Sequence, residues 1–267
     1  MRRLLNLALH CGGHEATMEQ VRVCPMPNST ETYTPIGHHE LIDTVLGTLG
    51  GSGLRVVHEA HALWQNGNRY FGSFQLANGS DHDDYALVIG LRNSHDKSFP
   101  AGLACGSGVF VCDNLAFSGE VQLSRRHTAR IREDLPRLIT TAVGRLGTMK
   151  VNQEKRIDAY KQCDMTDLQA HDLMIRAVDV GAVPVTKLPY VIKEWRKPSH
   201  DEFGPRTAWS LFNGFTDGYR ELGAITTLRR SLPLHGLFDQ FCGIRFETEE
   251  KFQDAEIVGG SPAVIAV

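Results

Sequence analysis

The sequence lacks any long apolar run. No stretch approaches the roughly 18–20 consecutive apolar residues that cross a bilayer, so a membrane partner is not expected. The N-terminus imitates a secretory leader, with Arg2 and Arg3 before an apolar stretch. That stretch, Leu4 to Leu9, is interrupted by Asn6, followed by His10, and shorter than a leader core. Cysteine is also sparse. The six cysteines, Cys11, Cys24, Cys105, Cys112, Cys163 and Cys242, are scattered and form no Cys-x-x-Cys pair. A disulfide scaffold is not expected at this length, and a reducing, cytoplasmic setting is the default.

The common catalytic signatures are absent too. Gly102, Gly106 and Gly108 are not followed by the Gly-Lys-Ser/Thr of a phosphate-binding loop. Gly106-x-Gly108 lacks the third glycine of a dinucleotide fingerprint, and a hairpin turn is the simpler expectation for this segment. His58 and His61 miss the i, i+4 spacing of a zinc-protease helix. Asp81-His82-Asp83-Asp84 reads as a solvated turn that has the carboxylates to take a hard cation. The twelve histidines form no closed zinc set. We therefore expect no cofactor and no resident metal, and assign no catalytic residue.

What is present is an ordinary globular composition, 42% hydrophobic and 22% charged, over 267 residues with a net charge of −3. The chain is long enough for a sizeable core, and no internal repeat or obligatory linker divides it. The pattern predicts an α+β fold: a helix, a small antiparallel sheet, and a helical C-terminal half. Residues 1–34 read as an N-terminal extension. Residues 35–242 read as one domain, with the sheet in 54–120 and the helices in 121–242, and residues 243–267 read as a tail.

Thr34-Pro35 suits a helix start, with Ile36, Leu41, Val45, Leu46 and Leu49 on its apolar face and Gly50 to Gly53 ending it. About four strands follow in a meander, with Gln65-Asn66-Gly67-Asn68 as a tight turn. They are Leu54 to Trp64, Arg69 to Leu76, Ala86 to Leu91 and Val109 to Val111, and Asn78 to Asp84 reads as a polar turn. Arg125 to Met149 reads as a long helix that Pro136 kinks or restarts. Helices are predicted over Asn152–Gln162, Thr166–Val178 and Arg206–Leu222, and an extended segment over Leu188–Lys193.

Polar groups gather at strand ends in Tyr85 to Glu120, where a sheet can present chemistry. Arg92-Asn93-Ser94-His95-Asp96-Lys97 offers phosphate contacts through Arg92 and Lys97, or an acid–base pair in His95 and Asp96. Neighbouring residues on an extended chain point to opposite faces, so His95 and Asp96 need a turn to cooperate. A loop whose Asn93 and Asp96 satisfy backbone groups is the plainer reading. Cys112 in Val109-Phe110-Val111-Cys112 suits a buried strand thiol, and Asp113-Asn114 suits a cap. From Arg125 to Arg156 there are nine Lys/Arg against three Asp/Glu. Arg125, Arg126, Arg130 and Arg132, with His127, sit at an expected helix start, where cations oppose the helix dipole unless an anion binds. Arginine forks suit phosphates, and Tyr70, Phe71, Phe74 and Phe99 are candidate stacking residues.

The motifs Arg92-Asn93-Ser94-His95-Asp96, Val109-Phe110-Val111-Cys112-Asp113-Asn114 and Arg125-Arg126-His127-Thr128 resemble a phage- and plasmid-borne family, domain of unknown function 932. The resemblance covers roughly residues 35–220. Its setting on mobile elements implies DNA metabolism or host conflict, but no catalytic residue. The helix–sheet–helix pattern is also reminiscent of single-strand annealing proteins, an analogy of fold alone. The expectation is a non-enzymatic nucleic-acid-binding protein, single-stranded DNA favoured, acting as a homo-oligomer. Its contacts would be Arg92, Lys97, Arg125, Arg126, Arg130 and Arg132. The alternatives are a metal-dependent nuclease or other phosphoester hydrolase using His95, Asp96 and Asp113, and a protein-interaction module without nucleic acid.

Overall fold

The computed structural model describes residues 13–77, 85–109, 114–219, 222 and 224–246. Its centre is a six-stranded sheet in which every neighbouring pair is antiparallel and the strands follow in chain order. The strands are β1 (His14–Ala16), β2 (Val56–Trp64), β3 (Arg69–Leu76), β4 (Tyr85–Ser94), β5 (Ala101–Val109) and β6 (Asn114–Arg125). The helices are α1 (Met18–Arg22), α2 (His38–Gly51), α3 (Ile131–Gly144), α4 (Leu146–Gln162), α5 (Asp167–Asp179), α6 (Leu188–Arg196), α7 (Ala208–Asp217) and α8 (Ala224–Phe241). The α+β class expected from the sequence holds.

Several expectations change. The sheet has six strands rather than about four, and β1 comes from the expected N-terminal extension. Gly102 to Gly108 is strand, not a hairpin turn, because glycine was read as a breaker where it instead keeps one sheet face shallow. Arg125 ends β6 and Arg126 precedes the helix, while Arg130 is the N-cap of α3 and Arg132 lies in its first turn, so the expected helix start falls later and holds only two of the four arginines. Leu188 to Lys193 is helical, started by Pro189 in the first turn. The helix after Thr34-Pro35 starts at His38, with Gly37 as its cap. Pro136 lies inside α3, and the break falls later, at Arg145 between α3 and α4. Helix α8, interrupted in sequence by Pro233, was not foreseen. The Thr166 cap of α5 is present, its hydroxyl accepting from the Gln169 amide at 3.3 Å. The turn at 78–84 and the residues Phe110, Val111, Cys112 and Asp113 lie outside the described residues.

Two apolar cores form. Alternation along the strands turns Tyr70, Phe74, Leu87, Ile89, Leu91, Leu103 and Leu123 to one face. There they meet Leu41, Ile42 and Val45 of α2 and Ile131, Leu135 and Ile139 of α3. The helical half packs around Tyr160, Leu173, Trp195, Phe212, Phe215 and Phe238. A buried polar cluster joins sheet to helices. Gln153 on α4 donates to Ser107 on β5 at 3.0 Å, and Arg156 grips Asp239 of α8 through Nε and a terminal nitrogen at 2.8 and 2.9 Å.

Candidate functional site

The Arg92–Lys97 motif is split by the pleat. Asn93 points to the first face and is fully buried. Its amide nitrogen donates to the Ile36 carbonyl at 2.8 Å and lies 3.0 Å from His38 Nδ1, and its oxygen lies 2.8 Å from His127 Nε2. His38 Nε2 faces the Gly67 carbonyl at 2.9 Å. These partners make His38 a neutral Nε2–H ring, with Nδ1 accepting from Asn93. Burial, with His95 alongside, holds the His38 pKa down to about 3, and the same two causes hold His127 down to about 4. The His95 ring stacks on His38 with centroids 4.0 Å apart and planes 4° from parallel. Its two nitrogens each lie 3.0 Å from a carbonyl, Pro25 on one side and Ile36 on the other. The cluster therefore sews the segment Pro25 to His38 to the sheet. Gly67, with a positive φ of 80°, makes this possible: a Cβ there would lie 3.1 Å from the Cys24 sulfur.

His95 and Asp96 do not converge. His95 is buried in this cluster, while Asp96 is exposed and binds Arg69 at 2.6 Å and the Ser98 hydroxyl at 2.5 Å. Burial works against its charged form, but bonds from Ser98 and Arg69 hold the carboxyl below its ordinary range. Asp113 lies outside the described residues. No group of three or more His, Cys, Asp or Glu able to hold a metal ion occurs among the described residues.

The basic segment is largely neutralised. Arg125 binds Asp134 through Nε and a terminal nitrogen, at 3.2 and 2.8 Å. Arg132 binds Glu40 at 3.0 Å, and Arg130 lies 3.7 Å from Glu133. Bonds from Arg125 first, then Arg137, keep the Asp134 carboxyl below its usual range. Glu133 and Asp134 occupy the first turn of α3, where carboxylates suit the helix dipole. Arg126 is exposed, and Lys97 is exposed with its ammonium 4.6 Å from the Tyr33 ring centre. Lys97 has a positive φ of 62°, which closes the β4–β5 turn.

Arg92 lies on the opposite, second face. The register sets three rows of side chains there. One is Ala62, Phe71, Arg92 and Gly102; the next is Ala60, Ser73, Gly90 and Ala104; the third is His58, Gln75, Val88 and Gly106. Six of these twelve are alanine or glycine, so the side chains there are small, and all but Ala60, His58 and Arg92 are buried. Arg92 lies over Phe99 at 5.9 Å, and Phe99 lies 6.1 Å from Trp64, with both rings half-buried. Burial first, and Arg229 of α8 second, lower the Arg92 pKa. An anion bound near Arg92 would offset that like-charge repulsion. Of the expected stacking residues, Tyr70 and Phe74 are fully buried on the first face, so they cannot serve. Phe99 is on the second face, with Trp64, which sequence reading missed. Trp64 ends a strand with even-numbered residues on that face, and this parity was the available signal.

The profile of the family described as Domain of unknown function (DUF932) matches residues 28–230. No curated protein and no solved structure matches the chain.

Proposed function

We propose that this chain, a member of the DUF932 family, is a non-enzymatic nucleic-acid-binding protein that holds a single strand at the end of its sheet where Trp64, Arg92 and Phe99 are half-buried. The observation that carries the reading is Arg92 over Phe99 with Trp64 beside it, at a point where the charge of Arg229 is also felt. Guanidinium groups take backbone phosphates, and half-buried aromatic rings stack bases without regard to sequence. Arg126 and Lys97 extend the cationic rim, whereas Arg125, Arg130 and Arg132 already hold carboxylates. The reading includes a homo-oligomer. Leu168, Ile175 and Val180, at 80%, 56% and 50% exposure, supply apolar surface on and beside α5 for self-association.

Fluorescence anisotropy with a labelled single-stranded oligodeoxynucleotide, read at two or more salt concentrations, tests it. Binding should weaken steeply with salt, and the combined changes Arg92→Ala and Arg229→Ala should lower the salt slope by about 2. A flat salt response, or undiminished binding in that variant, overturns the proposal.

A further inference from the structure

The cysteines show no local pairing in the sequence, yet the fold brings two of them together. Cys163 is the residue that closes α4, and Cys242 directly follows the last residue of α8. Their thiols are hydrogen-bonded to one another, and both pack against the same helical core. Each backbone is fixed at that point. The Cys163 carbonyl accepts from the amide of Ala208, the first residue of α7, at 2.8 Å. After Cys242 the end of α8 is wrapped by Gly243, at a positive φ of 67°. The Gly243 amide donates to the Gln240 carbonyl at 3.3 Å, and the Ile244 amide to the Asp239 carbonyl at 2.8 Å.

The same two helices are already joined one turn earlier. The Tyr160 hydroxyl donates to the Asp239 carboxylate at 2.7 Å, beside the Arg156–Asp239 pair. Residues three apart on a helix share a face, so Tyr160 and Cys163 look the same way, as do Asp239 and Cys242. The thiol contact is thus the end of a seam between α4 and α8. Both thiols are free and partly exposed, so a small reagent can reach them. Cys105, by contrast, is buried in β5, and Cys24 donates to the Gln20 carbonyl at 3.4 Å.

We propose that Cys163 and Cys242 are an oxidisable pair, in which a hydroperoxide turns the thiol contact into a disulfide that fastens the end of α8 to the end of α4. Burial first, and the bond to Cys163 second, hold the proton on Cys242, so Cys163 reacts first. The Cys163 sulfur attacks the peroxide and the O–O bond breaks. Cys163 becomes a sulfenic acid, and its proton leaves with the alcohol, or with water when the oxidant is hydrogen peroxide. The Cys242 sulfur then attacks the Cys163 sulfur, the S–S bond forms, and the sulfenic oxygen departs as water with the Cys242 proton. The two thiols lose two electrons and the peroxide gains them. Both sulfurs sit at helix C-termini, where the dipole disfavours a thiolate. The pair therefore closes slowly at neutral pH and faster as pH rises. The bond closes a loop of about 80 residues, and long loops gain most from closure. It ties the last described helix to α4, which itself reaches the sheet through Gln153 and Ser107.

The test treats the full chain with hydrogen peroxide at pH 7 and at pH 8.5. Unreduced digests are mapped by mass spectrometry, and melting is followed before and after oxidation. The link should join Cys163 to Cys242 within one chain and form faster at the higher pH. It should raise the melting temperature by about 5–10 °C, and dithiothreitol should reverse both changes. Cys163→Ser and Cys242→Ser should each abolish the link and the gain. If either variant does not fold, the map and melt of the wild type decide by themselves. A link to another cysteine, a link between two chains, or thiols that oxidise without joining overturns the proposal. A joined protein that melts no higher than the reduced one overturns it too, because the helix ends were then forced together. Nucleic-acid binding is a separate proposal, and none of these outcomes bears on it.

Discussion

The two faces of the sheet are made by the same strands and differ only in the parity of the residues that reach them. The first face presents Tyr70, Phe74, Leu87, Ile89, Leu91 and Leu103 to α2 and α3. The second presents His58, Ser73, Gln75, Gly90, Arg92 and Gly102. One face is large and apolar; its Asn93 is fully partnered, and its His61 is hydrogen-bonded at Nδ1 but not at Nε2. Asn93 holds two histidines and a carbonyl, and His61 Nδ1 meets the Tyr70 hydroxyl at 3.0 Å. The other face carries smaller residues around Phe71 and Val88, with His58, Ser73, Gln75 and Arg92 among them. The difference separates tasks: the large apolar side chains that hold α2 and α3 stand on the first face, and Arg92 with Trp64 and Phe99 stands on the second.

The largest test of that division is Ile89→Ala. Ile89 is 1% exposed in the first-face core, so truncation should destabilise the protein by about 2–5 kcal/mol in urea unfolding, with its midpoint shifted down. Ser73→Ala, on the facing side, should not.

Acid comes next. His38 and His127 have folded pKa values of about 3 and 4, below the ordinary 6.5. Below pH 6.5 the unfolded chain therefore binds protons that the folded chain refuses. The stability these rings contribute is complete above about pH 6.5 and drains away as pH falls toward 4 and 3. Between pH 7 and 4.5 the loss from the two rings together should be roughly 4–5 kcal/mol. Thermal melts across that range measure it, and Asn93→Ala should melt lower than wild type at pH 7, because it leaves His38 and His127 without their shared partner. A pH-independent melting temperature would show that the imidazoles do not govern the first face.

The smallest effect is expected of Arg132→Ala. Arg132 and Glu40 are about half and one-third exposed, and such pairs contribute roughly 0–1 kcal/mol. Oligonucleotide affinity should change far less than on removal of Arg92 and Arg229. A loss as large as theirs would move the binding face to the β6–α3 corner.

Much of the architecture was legible in one dimension. The Gln65–Asn68 turn and the Arg69–Leu76 strand were read from local chemistry, and both are in place because turn residues and strict alternation act over a few neighbours. The Thr166 cap is local in the same way. Gly102 to Gly108 was misread because glycine marks a turn in sequence, while in the sheet it keeps a face open. The basic run from Arg125 to Arg132 was visible as charge. Its neutralisation was not, since Glu40 lies far away along the chain and meets Arg132 only when α2 packs beside α3.

The sequence by itself determined the α+β class, the order of helix, sheet and helices, and the family signature around Asn93 and His95. Each depends on periodicity or on short motifs. Only the tertiary structure decided what the signature does. Asn93 and His95 turn inward to fasten the Pro25–His38 segment, while Arg92 turns to the opposite face and lies over Phe99. Adjacent residues on a strand point to opposite faces, and what waits on each face is set by segments distant in the chain.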